Sequence, residues 1–170
     1  MMDLIERDQP VHADSRGLAK LERVLFLCTR NSARSLMAEE LLRRIASDRF
    51  EVLSAGLQPG EVHPLTRQVL GEIGIDPSGL RSKGLDKIMG RLGIKYAIVV
   101  CQEAEMACPR IYPFAVQTIR WPFEDPASGG NEEELLARFR AVRDSIEWRI
   151  RCWLKELEVE SVGRPRLTNG

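Results

Sequence analysis

The chain has 170 residues, 44% of them hydrophobic and 29% charged, which fits one ordinary core without disulfide or metal staples. Its 25 Lys and Arg balance 25 Asp and Glu; this excludes a global field for nucleic acid or an anionic membrane, and any anion binding has to be local. With no long apolar stretch and no signal-type segment, the expectation is a cytoplasmic, monomeric protein, not membrane-bound, whose four cysteines are reduced.

Residues 1–22 mix Asp, Glu, Arg, Pro and Gly without a period and read as a flexible extension; 23–158 read as a single domain and 159–170 as a fraying tail. Val24–Leu27 is an apolar β run, and Arg34–Ala46 carries Leu36, Met37, Leu41, Leu42 and Ile45 at helical spacing. A second strand, Phe50–Ala55, ends at Gly56. Pro64–Ile73 predicts a helix with Leu65, Val69, Leu70 and Ile73 on one face, closed by Gly74-Ile75-Asp76-Pro77. A short helix is expected over Ser82–Met89, followed by strands at Tyr96–Val100 and Val116–Arg120. The last helix, Glu132–Leu157, places Leu135, Phe139, Val142, Ile146, Ile150, Trp153 and Leu157 on one face and leaves Arg138, Arg143, Glu147 and Arg151 to solvent. Alternating β and α units imply an α/β fold with a parallel sheet, its chemistry at the carboxyl ends of the strands. Cys28, Cys101 and Trp121–Asp125 all fall at such ends.

Directly after the first strand runs Cys28-Thr29-Arg30-Asn31-Ser32-Ala33-Arg34-Ser35, a Cys-x5-Arg segment that turns into a helix. Backbone N–H groups of such a loop and the helix N-terminus can hold a tetrahedral oxyanion while Arg34 grips two of its oxygens. The same field is expected to lower the Cys28 pKa by roughly 2 units, about 2.7 kcal/mol, making it a thiolate nucleophile at neutral pH. Neither a G-x-x-x-x-G-K-[ST] loop nor a G-x-G-x-x-G turn competes for an anion.

Cys101 and Cys108 are separated by six residues, more than a zinc knuckle uses, and the two histidines, His12 and His63, lie elsewhere. Two thiols beside a nucleophilic thiolate suit disulfide exchange, in which one attacks and another resolves. Cys152, beside Trp153, reads as a packing residue. Asp125-Pro126 offers a carboxylic acid on a stiff loop that could protonate a leaving oxygen, or it is merely an Asp-Pro turn.

Leu25-Phe26-Leu27-Cys28-Thr29 with Asn31-Ser32 and Arg34-Ser35, Met37-Ala38-Glu39, Ser54-Ala55-Gly56, Gly74-Ile75-Asp76, Cys101, Cys108-Pro109 and Phe123-Glu124-Asp125-Pro126-Ala127 resemble arsenate reductases of the low-molecular-weight tyrosine phosphatase superfamily. The resemblance implies a three-layer α/β sandwich with a four-stranded parallel sheet. It also implies that Cys28 attacks arsenate held by Arg34 and the amides of Thr29, Arg30, Asn31, Ser32 and Ala33, with phosphate as an analogue. Asp125 would protonate the departing hydroxide and Ser35 would steady the thiolate. Cys101 would then attack Cys28 to expel arsenite, and Cys108 would attack Cys101, leaving a Cys101–Cys108 disulfide for thioredoxin or, alternatively, glutaredoxin. No tightly bound cofactor is implied beyond that external thiol reductant, apart from a potassium ion near Asn31, Glu39, Ser54 and Asp76.

Phosphatases of this superfamily share the cradle and the acid but carry aromatics after Asp-Pro. Here that position holds Ala127-Ser128-Gly129-Gly130. Hydrolysis of phosphomonoesters through a phosphocysteine remains the alternative activity, and a non-catalytic redox sensor the alternative class.

Overall fold

A computed structural model describes residues 21–88, 93–102 and 115–163; Cys108 lies outside them. The strands are β1 (Glu22–Cys28), β2 (Phe50–Gly56), β3 (Ile94–Val99) and β4 (Ala115–Arg120), and the helices α1 (Arg34–Ala46), α2 (Pro64–Gly71) and α3 (Glu132–Gly163). They form an α/β fold around a four-stranded sheet ordered β2-β1-β3-β4, parallel throughout.

Strand β1 is buried from Val24 to Cys28 on both faces, as the continuous apolar run requires of a central parallel strand. Its register with β2 runs from Glu22↔Phe50 to Cys28↔Gly56, and with β3 from Val24↔Tyr96 to Leu27↔Val99. The far strand β4 pairs only with β3 and leaves Val116 83% exposed. This explains why a run of strand-forming residues carries Gln117 and Thr118 at its middle.

Helix α1 buries Leu36, Met37, Leu41 and Leu42 against β1, β2 and α3. In α3 the stripe Phe139, Ile146, Ile150 and Trp153 is buried, and Trp153 docks it onto the sheet. The Trp153 ring lies 5.5 Å from Phe50, 5.1 Å from Tyr96 and 5.7 Å from Trp121, separations typical of favourable edge and offset packing. Cys152 beside it is a half-buried free thiol.

Three expectations need correction. Of the segment expected to be a helix, Ser82–Met89, the described residues 82–88 form only a 3-10 turn at Leu85–Lys87, and Met89 lies outside them. The first residues of the segment are held extended, because Gly56 donates its N–H to Lys83 O at 2.8 Å and Lys83 donates its own to Asn31 Oδ1 at 2.7 Å. Helix α3 does not stop at Leu157 but continues to Gly163. Arg143 is buried rather than solvated: its guanidinium donates to Val69 O at 2.8 Å and to Glu72 at 3.2 Å, tying α3 to the end of α2. Helical periodicity reads a charge as a solvated position, whereas a guanidinium can also close orphan carbonyls of a neighbouring helix. Helix α2 itself starts at Pro64 as expected, with the His63 ring accepting from Leu65 N at 3.2 Å. It stops at Gly71, ahead of a turn through Gly74 at φ +80°.

Candidate active site

The loop between β1 and α1 is shaped from outside. The carbonyls of Cys28, Thr29, Arg30 and Ser32 accept from the N–H groups of Leu57, Gln58, Gly60 and His63, at 3.1, 2.8, 2.9 and 3.0 Å. A trans peptide sends the carbonyl of one residue and the N–H of the next in opposite directions. With the carbonyls drawn out to the 57–63 segment, the following amides turn inward. The Asn31 amide confirms the sense, donating to Cys28 Sγ at 3.0 Å. Asn31 adopts φ +50°, the sole non-Gly residue at positive φ among those described, a conformation Asn tolerates better than most side chains. Gly56 must lack a side chain, since a Cβ there would lie 2.8 Å from Arg30 C and from Asn31 N. At the helix end, Ala33 provides no side-chain cap and the first turn of α1 holds no acid. Its amides and partial positive charge are left for an anion.

Cys28, 3% exposed at the tip of β1, is the sulfur at the base of this loop. Its Sγ lies 2.7 Å from Ser35 Oγ, which belongs to a wider network. Asn31 Nδ2 donates to Ser35 Oγ at 2.9 Å and to Ser54 Oγ at 2.8 Å, and Ser54 donates in turn to Glu39 Oε2 at 2.5 Å. The Asn31 amide is oriented by Lys83 N, which donates to its Oδ1. Ser35, accepting from Asn31, keeps its own hydrogen to donate to the sulfur once that is a thiolate. Burial pushes the Cys28 thiol up; the Ser35 hydroxyl and the Asn31 amide pull it down, Cys101 raises it and Arg34 lowers it. Burial prevails, which reverses the depressed pKa expected from the loop alone. The sequence could not show that the sulfur is so fully enclosed.

Arg34 reaches across to the acid loop, donating to Phe123 O at 3.1 Å, with its guanidinium 3.7 Å from Asp125 Oδ1. Asp125 is half exposed and also accepts from Ala127 N at 3.2 Å, so the Asp-Pro turn and the position facing the cradle coexist. A cleft of about 600 Å³ opens above the sulfur, lined by Cys28, the loop residues Thr29, Arg30, Ser32, Ala33 and Arg34, and by Glu61, His63, Asp125 and Ala127. Glu61 and His63 were not singled out from sequence as cleft residues; their proximity follows from the hydrogen bonds that pin the 57–63 segment, which carry no local signal. The acid-side wall is Ala127, small as the sequence suggested.

Cys101 is fully buried just beyond β3, its Sγ 3.4 Å from Thr29 Oγ1. Of the four residues expected around a potassium ion, Asn31, Glu39 and Ser54 converge. Asp76 does not join them: it is exposed, and its carboxylate binds Ser78 N and Oγ at 2.9 and 2.8 Å. In the trio, Glu39 Oε1 takes Arg43 at 2.7 Å, and Oε2 takes Lys83 Nζ at 2.8 Å as well as Ser54. The donor set does not fit a potassium ion. Among the described residues no group of three or more His, Cys, Asp or Glu could hold a metal, and no helix is long and apolar enough to cross a membrane.

Residues 23–162 match the family model for low molecular weight phosphotyrosine protein phosphatase. A relative described as an arsenate reductase, from Oceanobacillus iheyensis, is 36% identical over 134 residues, 78% of this chain and 94% of its own. Among solved structures, an arsenate reductase in its phosphate-binding state superposes with TM-score 0.68 at 28% identity, over 80% of this chain and 98% of that one. A thioredoxin-dependent arsenate reductase from Corynebacterium glutamicum gives 0.62 at 29%, over 84% of this chain and 64% of that one.

Proposed function

The chain belongs to the low molecular weight phosphotyrosine protein phosphatase family, and within it we propose that this member reduces arsenate to arsenite, with Cys28 as nucleophile and a thiol relay supplying the electrons. The cradle by itself serves a phosphatase equally well. The observation that favours reduction is Cys101, a second thiol at the end of the strand beside the one that carries Cys28. Leu27 is in register with Val99, and the ladder extends through Val100 N to Leu27 O at 2.9 Å, so Cys101 lies one residue past the partner position of Cys28. Its Sγ lies 3.4 Å from Thr29 Oγ1, on the residue next to Cys28, and it is near enough to Cys28 to act on that thiol's ionisation. Hydrolysis through a phosphocysteine has no use for a thiol there.

In the proposed sequence the oxyanion binds against the inward amides of the loop and the Arg34 guanidinium. The Cys28 proton passes to an oxygen of the bound arsenate dianion, and Ser35 and the Asn31 backbone amide steady the thiolate that is left. Cys28 attacks arsenic, and Asp125 gives a proton to the departing hydroxide, which leaves as water. The Cys101 thiolate then attacks Cys28 Sγ. The S–As bond breaks, its electron pair stays on arsenic, which goes from As(V) to As(III), and a Cys28–Cys101 disulfide is left. Cys108, outside the described residues, attacks Cys101 and frees Cys28, and a dithiol reductant of the thioredoxin type reduces the Cys101–Cys108 bond.

The test is arsenate-dependent NADPH oxidation with thioredoxin and thioredoxin reductase, run beside glutathione with glutaredoxin and repeated with Cys101→Ser. Turnover in the wild type and its loss in the variant, with aryl-phosphate hydrolysis unaffected, support the relay. Aryl-phosphate hydrolysis without arsenate turnover in either system would establish the phosphatase instead.

A further inference from the structure

We propose that the Lys83 ammonium group acts as a built-in cation for the oxyanion cradle, so that the cradle is set without potassium. Glu39, 4% exposed on α1, is the end of the hydrogen-bonded chain that fixes the loop: Glu39 accepts from Ser54, Ser54 accepts from Asn31, and Asn31 contacts both Ser35 and, through its backbone amide, Cys28. A buried carboxylate needs a counter-charge. Here two are present. Lys83 Nζ sits 2.8 Å from Oε2 and Arg43 2.7 Å from Oε1. Arg43 is shared with Glu40, so the local sum is two negative and two positive side chains before any metal ion is added, and a further monovalent cation would find no net charge to attract it.

Lys83 also grips the network with its backbone. Its N–H holds Asn31 Oδ1 and its C=O accepts from Gly56 N, so one residue fixes the amide orientation of Asn31, the end of β2 and the charge of Glu39. The oxygen atoms of Asn31, Glu39 and Ser54 that could turn to a metal are already occupied by these donors. Lys83 is a positioning residue: it acts on the bound oxyanion through Glu39, Ser54 and Asn31, without touching it.

The inference rests on the loop being an oxyanion cradle but not on arsenate being its substrate, and inorganic phosphate serves as the probe. Calorimetric binding of phosphate to the reduced full chain, in potassium chloride and in choline chloride at equal ionic strength, should give the same Kd within about twofold. Thermal melting should likewise be the same in the two salts. Lys83→Met keeps the aliphatic stem and removes the charge; it should weaken phosphate binding by about tenfold, the equivalent of roughly 1.4 kcal/mol, while Lys83→Arg retains most of the wild-type affinity. A saturable tightening of wild-type phosphate binding by potassium overturns the proposal, as does a Lys83→Met chain that melts cooperatively and binds phosphate like the wild type. If Lys83→Met does not fold, the comparison of salts on the wild type still decides. A wild type that binds no phosphate would sink the cradle reading itself, a different failure from potassium dependence.

Discussion

Ser35→Ala removes one side-chain oxygen from the sulfur and should raise the Cys28 pKa above that of the wild type. The hydroxyl lies 2.7 Å from Cys28 Sγ, and with Asn31 Nδ2 donating to its oxygen its own hydrogen is available to the thiolate. A hydrogen bond to a charged group contributes about 1.5–3 kcal/mol; at about 1.36 kcal/mol per unit, the pKa rises by roughly 1–2 units. Burial already holds the wild-type thiol up, so at neutral pH both proteins sit on the rising limb, where the thiolate fraction falls about tenfold per unit. The more basic thiolate is the better nucleophile, with a Brønsted slope of about 0.4–0.5. The net loss in alkylation rate is therefore about 3- to 15-fold. Iodoacetamide labelling of the Cys28 peptide, followed by mass spectrometry from pH 6 upward, measures both the midpoint and the rate. Asn31 Nδ2 keeps Ser54 as an acceptor, so the loop should persist, and unchanged phosphate-protected labelling would verify that. Superimposable pH profiles for variant and wild type would refute the assignment of Ser35 as donor to the sulfur.

Asp125→Asn should slow the oxyanion step by about 10²- to 10⁴-fold, the usual worth of a positioned general acid, read from single-turnover arsenite release; a wild-type rate would reduce Asp125 to a turn residue. Gly56→Ala should abolish phosphate binding measured by calorimetry, because its Cβ meets the backbone of Arg30 and Asn31 at 2.8 Å, whereas undiminished affinity would show that the loop can yield there. Arg143→Met should lower stability by about 1–3 kcal/mol, since it strands the Val69 carbonyl that the guanidinium now satisfies; chemical denaturation with an unchanged midpoint would contradict that.

The sequence made legible those features whose cause is local. Helix α1 begins at Arg34 and ends at Ala46 because its apolar spacing runs between those residues. The strands appeared within a residue or two of their bounds because buried parallel strands are short apolar runs. What eluded the sequence is long-range. Lys83 had no motif and was assigned to a helix; only the ladder that sets Gly56 beside the cradle pulls it into an extended path toward Asn31 and Glu39. The cradle's residues could be named from Cys-x5-Arg, but not the depth of Cys28, which turns the direction of its pKa. Asp76 shows the reverse error. It matched a pattern in the chain, yet in space it caps its own 3-10 turn.

The sheet order β2-β1-β3-β4 places β1, which ends at Cys28, and β3, which ends two residues before Cys101, at the centre, each held on both sides. The second thiol is consequently placed by a rigid strand as far as Val99 and by the short bend that follows it. Substitutions around the cleft can alter how fast either thiol reacts while leaving the strand that carries the second one in place. An inserted or deleted residue in β3 behaves differently: it advances the second thiol by a whole strand step and turns it to the opposite face. The proposed thiol exchange should therefore tolerate point changes around the cleft and fail abruptly with a shift of register, as a vernier fails when one scale slips by a single division.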